Sequence, residues 1–324
     1  MIKEIAHDLY NIRVPLPRNP LKELNSYLIQ GERNLLIDLG FNRPECEDVI
    51  SRDLSELGVN RDKTDIFITH LHSDHCGLLE VMDRPGIKKF CSKPDGEIIN
   101  ISVEEKYWGT LAVKLHKYGF PLHEKGYENA VDKHPGKKYR CKKVIDFSYI
   151  NDNDLLEYGE YKLRCIWVPG HTPGMMCLYE EDKKIFFSAD HVLGDITPNI
   201  PVELRIENPL SHYLKSLEKV EKLDVDLLLT GHRDAPASFT GRIDELKRHH
   251  ETRLDEVFNI VKAGASTAFD VASKMDWDIK FDDWDDFPIP QKWFATGEAA
   301  SHLDYLAAEG RIDKTEADGQ YKFI

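Results

Sequence analysis

Ile66-Phe67-Ile68-Thr69-His70-Leu71-His72-Ser73-Asp74-His75 decides how this chain is read: an apolar, β-branched run that delivers three imidazoles and a carboxylate within six positions. On a helix, His70 and His72 would point in roughly opposite directions; on an extended segment leaving a strand both project to one side. The run from His75 to Met82 has a helical pattern, so the cluster stands at the carboxyl end of a strand, where open α/β sheets hold ligands. Unrelated surface histidines do not produce H-x-H-x-D-H directly after a strand.

Working outward, the same arrangement recurs. Tyr161 to Val168 alternates as a strand, breaks at Pro169-Gly170 and presents His171. Met175 to Tyr179 and Lys184 to Ser188 read as a hairpin around Glu181-Asp182, with Asp190 leaving its second strand. Leu210 to Leu223 is helical, and Val225 to Leu229 is a buried strand ending at Gly231-His232. Each ligand follows a strand, which brings four distant segments to one sheet end.

These segments, Thr69 to His75, Val168 to Gly174, Phe186 to Asp190 and Leu229 to His232, resemble the motifs of the metallo-β-lactamase superfamily in their order. The resemblance runs to about residue 240 and implies a four-layer αβ/βα sandwich of the α/β class. It implies one metal on His70, His72 and His171, a second on Asp74, His75 and His232, and Asp190 bridging them. The ligand types suit Zn²⁺, and also Fe or Mn. The implied chemistry is hydrolysis by metal-bound hydroxide, with Asp74 orienting it and carrying its proton. Asp38-Leu39-Gly40 resembles the family's Asp-x-Gly segment, which sets Asp38 at the site floor; from the residues alone it is equally a turn ending a strand. His191, beside Asp190, is a candidate for a supporting position behind the ligands or a role toward the leaving group.

Ahead of the motif, Leu9 to Val14, Asn25 to Ile29 and Leu35 to Asp38 read as strands, and 44 to 57 as an amphipathic helix stopped by Gly58. Between the first and second motifs the charge changes. Residues 84 to 143 carry fourteen Lys/Arg against seven Asp/Glu, a net +7, in a chain whose formal charge is −14. This stretch is expected to be a basic helical insertion or lid, with Ser102 capping a helix through Leu115. His116, His123 and His134 within it are expected at the surface, since none has a second ligand at metal-site spacing.

Residues 1–240 are therefore expected as the metallohydrolase unit and 241–324 as an appendage: a helix over 243 to 262, a short one capped by Thr267, a third from Thr296 to Gly310, and a two-stranded wing around Asp318-Gly319. This resembles the winged-helix-like unit of the lactamase-β-2-like branch. Ten basic against eighteen acidic residues over 243 to 324, net −8, argue against duplex DNA as a partner and for docking or a homodimer. No run approaches a membrane span, and Met1 to Asp8 lacks a signal-peptide core. With six cysteines at unpaired spacings, the expectation is a cytoplasmic protein with reduced thiols.

Three function classes follow. The leading one is hydrolysis of a small anionic ester or thioester, the Pro-Gly-His-Thr-Pro-Gly segment resembling that of glyoxalase II. The alternatives are a phosphodiesterase or endoribonuclease of the lactamase-β-2-like type, and a non-catalytic or regulatory metal-binding member.

Overall fold

The computed structural model describes residues 2–278 and 283–324, and element counts refer to these. The first sheet has seven strands in chain order: β1 (Ile2–Ala6), β2 (Leu9–Pro15), β3 (Glu23–Ile29), β4 (Asn34–Ile37), β5 (Thr64–Phe67), β6 (Lys89–Ser92) and β7 (Ser148–Ile150). It is antiparallel as far as β4 and parallel from β4 to β7. The second has β8 (Leu155–Tyr158), β9 (Tyr161–Trp167), β10 (Met176–Glu180), β11 (Ile185–Ala189) and β12 (Leu227–Thr230), with only the β11–β12 pair parallel. The helices are α1 (Pro44–Glu56), α2 (Ser73–Cys76), α3 (Leu79–Met82), α4 (Lys93–Ile101), α5 (Glu105–Lys117), α6 (Ala130–Lys133), α7 (Pro135–Lys138), α8 (Pro209–Val220), α9 (Phe239–Lys262), α10 (Ala268–Ala272) and α11 (Ile289–Ala308). A hairpin of β13 (Lys314–Ala317) and β14 (Gln320–Phe323) ends the chain.

Alternation along the strands builds the layers. In β4, Leu35 and Ile37 face a core shared with Leu163, Leu178 and Phe187 of the second sheet, while Leu36 faces Ile50 and Leu54 of α1. The result is helix, sheet, sheet, helix, the expected four-layer α/β sandwich. The carboxyl ends of β4, β5, β9, β11 and β12 release Asp38, His70, His171, Asp190 and His232 respectively.

Several boundaries differ from the sequence expectation for identifiable reasons. Lys89–Ser92 is not part of a helical insertion but a strand of the first sheet: Phe90, Cys91 and Ser92 are buried, a short apolar run obscured by flanking lysines. Ser102 does not cap the helix through Leu115. It ends α4, its hydroxyl donating to the Ile99 carbonyl, while Ser92 caps α4 and α5 starts three residues beyond Ser102. The last long helix starts at Ile289, and Thr296 lies inside it, its hydroxyl donating to the Lys292 carbonyl. Thr267 does cap α10, accepting from the Asp270 N–H.

The C-terminal elements are not a detached body. Ala299, Leu303 and Leu306 of α11 and Val257 of α9 share one continuous core with Trp108 and Leu111 of α5 and with Phe186 of the second sheet. Among the described residues no helix is long and apolar enough to cross a membrane. All six cysteines are buried and free.

Candidate metal centre

Where β5 ends, the chain runs on through Ile68 and Thr69, bends at His70 and Leu71 and enters α2, which starts after His72. The tight return past Gly77 has no room for a side chain, since a Cβ there would lie 2.5 Å from the Asn42 nitrogen. Among the described residues, three groups could hold a metal: His70, His72 and His171; His70, His75 and Asp190; and Asp74, His75 and His232, with donor atoms within 4.8 Å in each group. His70 and His75 each belong to two groups, so the seven side chains form one continuous cluster. Asp190 stands in the middle, its oxygens 3.5 Å from His75 Nε2, 3.4 Å from His232 Nε2 and 3.8 Å from His171 Nε2. Asp74 lies 3.6 Å from His232 Nε2.

Four of the five rings are aimed by a partner on the other nitrogen. His75 Nδ1 lies 2.7 Å from Asp38 Oδ2, His171 Nδ1 2.6 Å from the Asn199 carbonyl, and His232 Nδ1 2.8 Å from the Glu23 carbonyl. His70 Nδ1 is 2.9 Å from the Thr69 hydroxyl, which donates to Asp38. Such contacts put the proton on Nδ1 and leave Nε2 as a lone-pair donor. His70 Nε2, His171 Nε2 and Asp190 Oδ1 are buried without a hydrogen-bond partner, a costly state for polar atoms unless a ligand completes them. Donors about 2.0–2.1 Å from a tetrahedral zinc lie roughly 3.4 Å apart, close to the spacings around Asp190. The residues fit divalent cations.

The electrostatics agree. Burial, reinforced by neighbouring imidazoles, holds His70 and His72 well below the ordinary histidine range, and burial also lowers His171. Burial acts the same way on His75 and His232, but the carboxylate of Asp190, joined at His75 by Asp38, outweighs it and raises both. Burial also opposes the charge on Asp190, yet His232 and His75 hold it well below the carboxylate range. Three imidazoles held toward the neutral form thus stand beside an ionised carboxylate that draws positive charge toward His75 and His232, a demand for positive charge that a bound cation would answer.

Backbone geometry places the later ligands. The β11–β12 register slips between Phe187 and Ala189, and Ala189 takes a left-handed φ of 44°, which turns Asp190 into the cluster. A Cβ on Gly231 would lie 2.3 Å from Asp190 Oδ1, so only glycine fits there. The Asn25 N–H donates to the Gly231 carbonyl at 2.7 Å and the Tyr27 hydroxyl to that of Thr230 at 2.8 Å, tying β3 to the His232 loop.

Asp38 and His191, the two supporting candidates, part company. Asp38 is at the floor, with a φ of 59°, accepting from the Thr69 N–H at 2.9 Å, the Thr69 hydroxyl at 2.8 Å and His75. His191 is in none of the three groups; its ring packs edge-on against Tyr213 at 5.3 Å, and burial pushes it down to about 3. His134, expected at the surface, lines the cleft among Trp108, Trp293 and Phe294, because the turn into α7 folds inward and its Nδ1 accepts from the Gly136 N–H.

Two supports escaped the sequence. Asp95, on α4, accepts from Leu71 N–H at 2.9 Å, the Thr172 hydroxyl at 2.6 Å and Gly174 N–H at 2.6 Å, pinning the His70 and His171 loops together. Burial raises it to about 6 against those bonds. Only the Ser92-x-x-Asp95 cap pattern marked this position. The second is Glu298 on α11, whose Oε2 accepts from Asn199 Nδ2 at 2.6 Å, bracing the residue whose carbonyl holds His171.

The sequence pattern of the metallo-beta-lactamase superfamily matches residues 22–232, and the chain belongs to that superfamily. It is a hydrolase within it. Similar proteins include the probable metallo-hydrolase YqjP of Bacillus subtilis, 24% identical and covering 95% of this chain and 94% of its own length. The human acyl-coenzyme A thioesterase MBLAC2 is 24% identical over 64% of this chain and 72% of its own. Among solved structures, metallo-beta-lactamase family protein TTHA1429 from Thermus thermophilus superposes with a TM-score of 0.82 at 26% identity over 99% of both chains. A beta-lactamase domain protein from Burkholderia ambifaria gives 0.78 at 22%, over 99% of this chain and 94% of its own.

Proposed function

We propose that this chain is a dinuclear hydrolase of a small anionic thioester such as an acyl-CoA. In this reading His70, His72 and His171 would hold one divalent cation and Asp74, His75 and His232 a second, with Asp190 shared between the two sets of side chains. Such cations, zinc before iron or manganese, supply Lewis-acid polarisation of the scissile carbonyl and a water acidic enough to attack near neutral pH. Asp74, on the cleft wall, would orient the attacking water, accept its proton and return it to the departing thiolate. Asp38, Thr69 and Asn199 hold His75, His70 and His171 in one tautomer and orientation, so little reorganises as charge develops.

The observation that carries the reading is the joined His/Asp cluster in a cleft whose lining includes the exposed cations Arg18, Lys133 and Lys138. These cations attract an anionic substrate head toward the cluster. A relative named as an acyl-CoA thioesterase adds support.

Acyl-CoAs, lactoylglutathione, a bis-aryl phosphodiester and single-stranded RNA, assayed on metal-loaded protein and on His70→Ala, test it. Thioesters should be cleaved with the highest kcat/KM, and His70→Ala should lose at least a hundredfold. Phosphodiester or RNA turnover with inert thioesters overturns the reading.

A further inference from the structure

The cavity over His72, Asp74, His171 and Asp190 does not stop at the ligand cluster. It continues, with a volume of about 710 Å³, into a chamber between the insertion and the C-terminal helices, within the usual range for small-molecule sites. Ile98, Trp108 and Leu111 come from the insertion, Trp293 and Phe294 from α11. Ile98, Trp108, Leu111 and Trp293 are each at most 6% exposed. Two polar groups of this wall are answered within it: the Trp108 indole N–H donates to the Ser102 carbonyl at 2.8 Å, and the Lys114 ammonium donates to the Glu203 carbonyl, while Oε2 of the Glu203 carboxyl is buried without a partner. Burial raises Glu203 to about 7 against the pull of Lys114.

An apolar chamber that opens onto a hydrolytic cluster and is rimmed with cations has two chemically distinct halves. We propose, resting on the thioester reading above, that the chamber takes the hydrocarbon chain of the acyl group, while the basic rim takes the anionic thiol half. The substrates are then medium- or long-chain acyl thioesters rather than acetyl-sized ones. The insertion and the C-terminal helices together form the chain-length gauge. A fully buried methylene is worth roughly fourfold in affinity, so partial burial of eight more carbons should be plainly visible.

The test uses the full metal-loaded chain. Calorimetry compares acetate with decanoate, which share a head group and differ only in the chain, and kcat/KM is measured from acetyl- to decanoyl- and palmitoyl-CoA. Decanoate should bind at least thirtyfold more tightly than acetate, and kcat/KM should rise by at least as much from acetyl- to decanoyl-CoA. Leu111→Trp, which fills the chamber, should cut both preferences at least tenfold. Phe294→Ala provides a second variant should Leu111→Trp fail to fold, and should weaken decanoate severalfold. Val113→Trp, two residues along α5 on a side chain 58% exposed, should keep the wild-type profile. Equal binding of acetate and decanoate, or a decanoate preference untouched by both chamber variants, overturns the proposal. Leu111-dependent decanoate binding with no acyl-CoA turnover would instead sustain the chamber and overturn the thioesterase reading.

Discussion

Asp38 is the most informative single position to perturb, because one buried carboxylate answers three donors. Its Oδ1 takes the Thr69 N–H, and its Oδ2 takes both the Thr69 hydroxyl and His75 Nδ1. Asp38→Asn keeps the size and tolerates the left-handed φ of 59°. It leaves one acceptor oxygen, so an amide N–H must face either the backbone donor or the hydroxyl and imidazole pair. His75 then loses its fixed tautomer, and His70 loosens through Thr69. Loss of such a support typically costs 10–100-fold in metal affinity, or about 1.4–2.7 kcal/mol. Asp38→Ala adds up to three unanswered donors at about 1–3 kcal/mol each and about 1 kcal/mol for alanine in the left-handed region. It should therefore destabilise the metal-free fold by several kcal/mol more than asparagine does. The assay is zinc affinity by chelator competition, with urea unfolding of the metal-free protein alongside. Asp38→Asn within twofold of wild-type zinc affinity would refute the reasoning, whatever happens to stability.

Glu298→Ala should release the Asn199 side chain and weaken retention of a cation on His70, His72 and His171 by about tenfold, while Glu298→Gln keeps the acceptor and most of the affinity; identical metal retention by Ala and wild type would count against the brace. The buried His302 is held down to about 4 by burial, against the hydrogen bond that its Nδ1 donates to the Glu298 carbonyl, and its Nε2 faces His250 at 3.2 Å. Its folded value lies below its ordinary 6.5, so between these values the unfolded chain binds more protons, and stability is lost as pH falls from 6.5 toward 4. Between pH 7 and 5 this group alone should account for about 2 kcal/mol. His302→Gln should remove that part of the slope in urea unfolding at the two pH values, and an unchanged slope would contradict the assignment.

The fold and the cluster were legible because their signals are local. A strand, a turn and a histidine recur within a few residues, and the sheet topology gathers their ends without help from side chains far along the chain. Asp95 and Glu298 were not legible for the opposite reason. Each is a charged residue on a helix, a pattern that ordinarily means a solvated face, and each becomes a brace only through bonds to residues 24, 77, 79 and 99 positions away. Lys89–Ser92 was hidden similarly, its burial set by neighbouring strands rather than by its own basic surroundings. These misses share a location, the insertion and the C-terminal helices, which were read by charge while their interior faces are apolar. The charge reading describes their outer surface. Their inner faces meet across the cleft, where α11 both stiffens the loop holding His171 and closes the chamber beside it. A change in the C-terminal helix should therefore alter metal retention and substrate choice together, which separate appendages would not do.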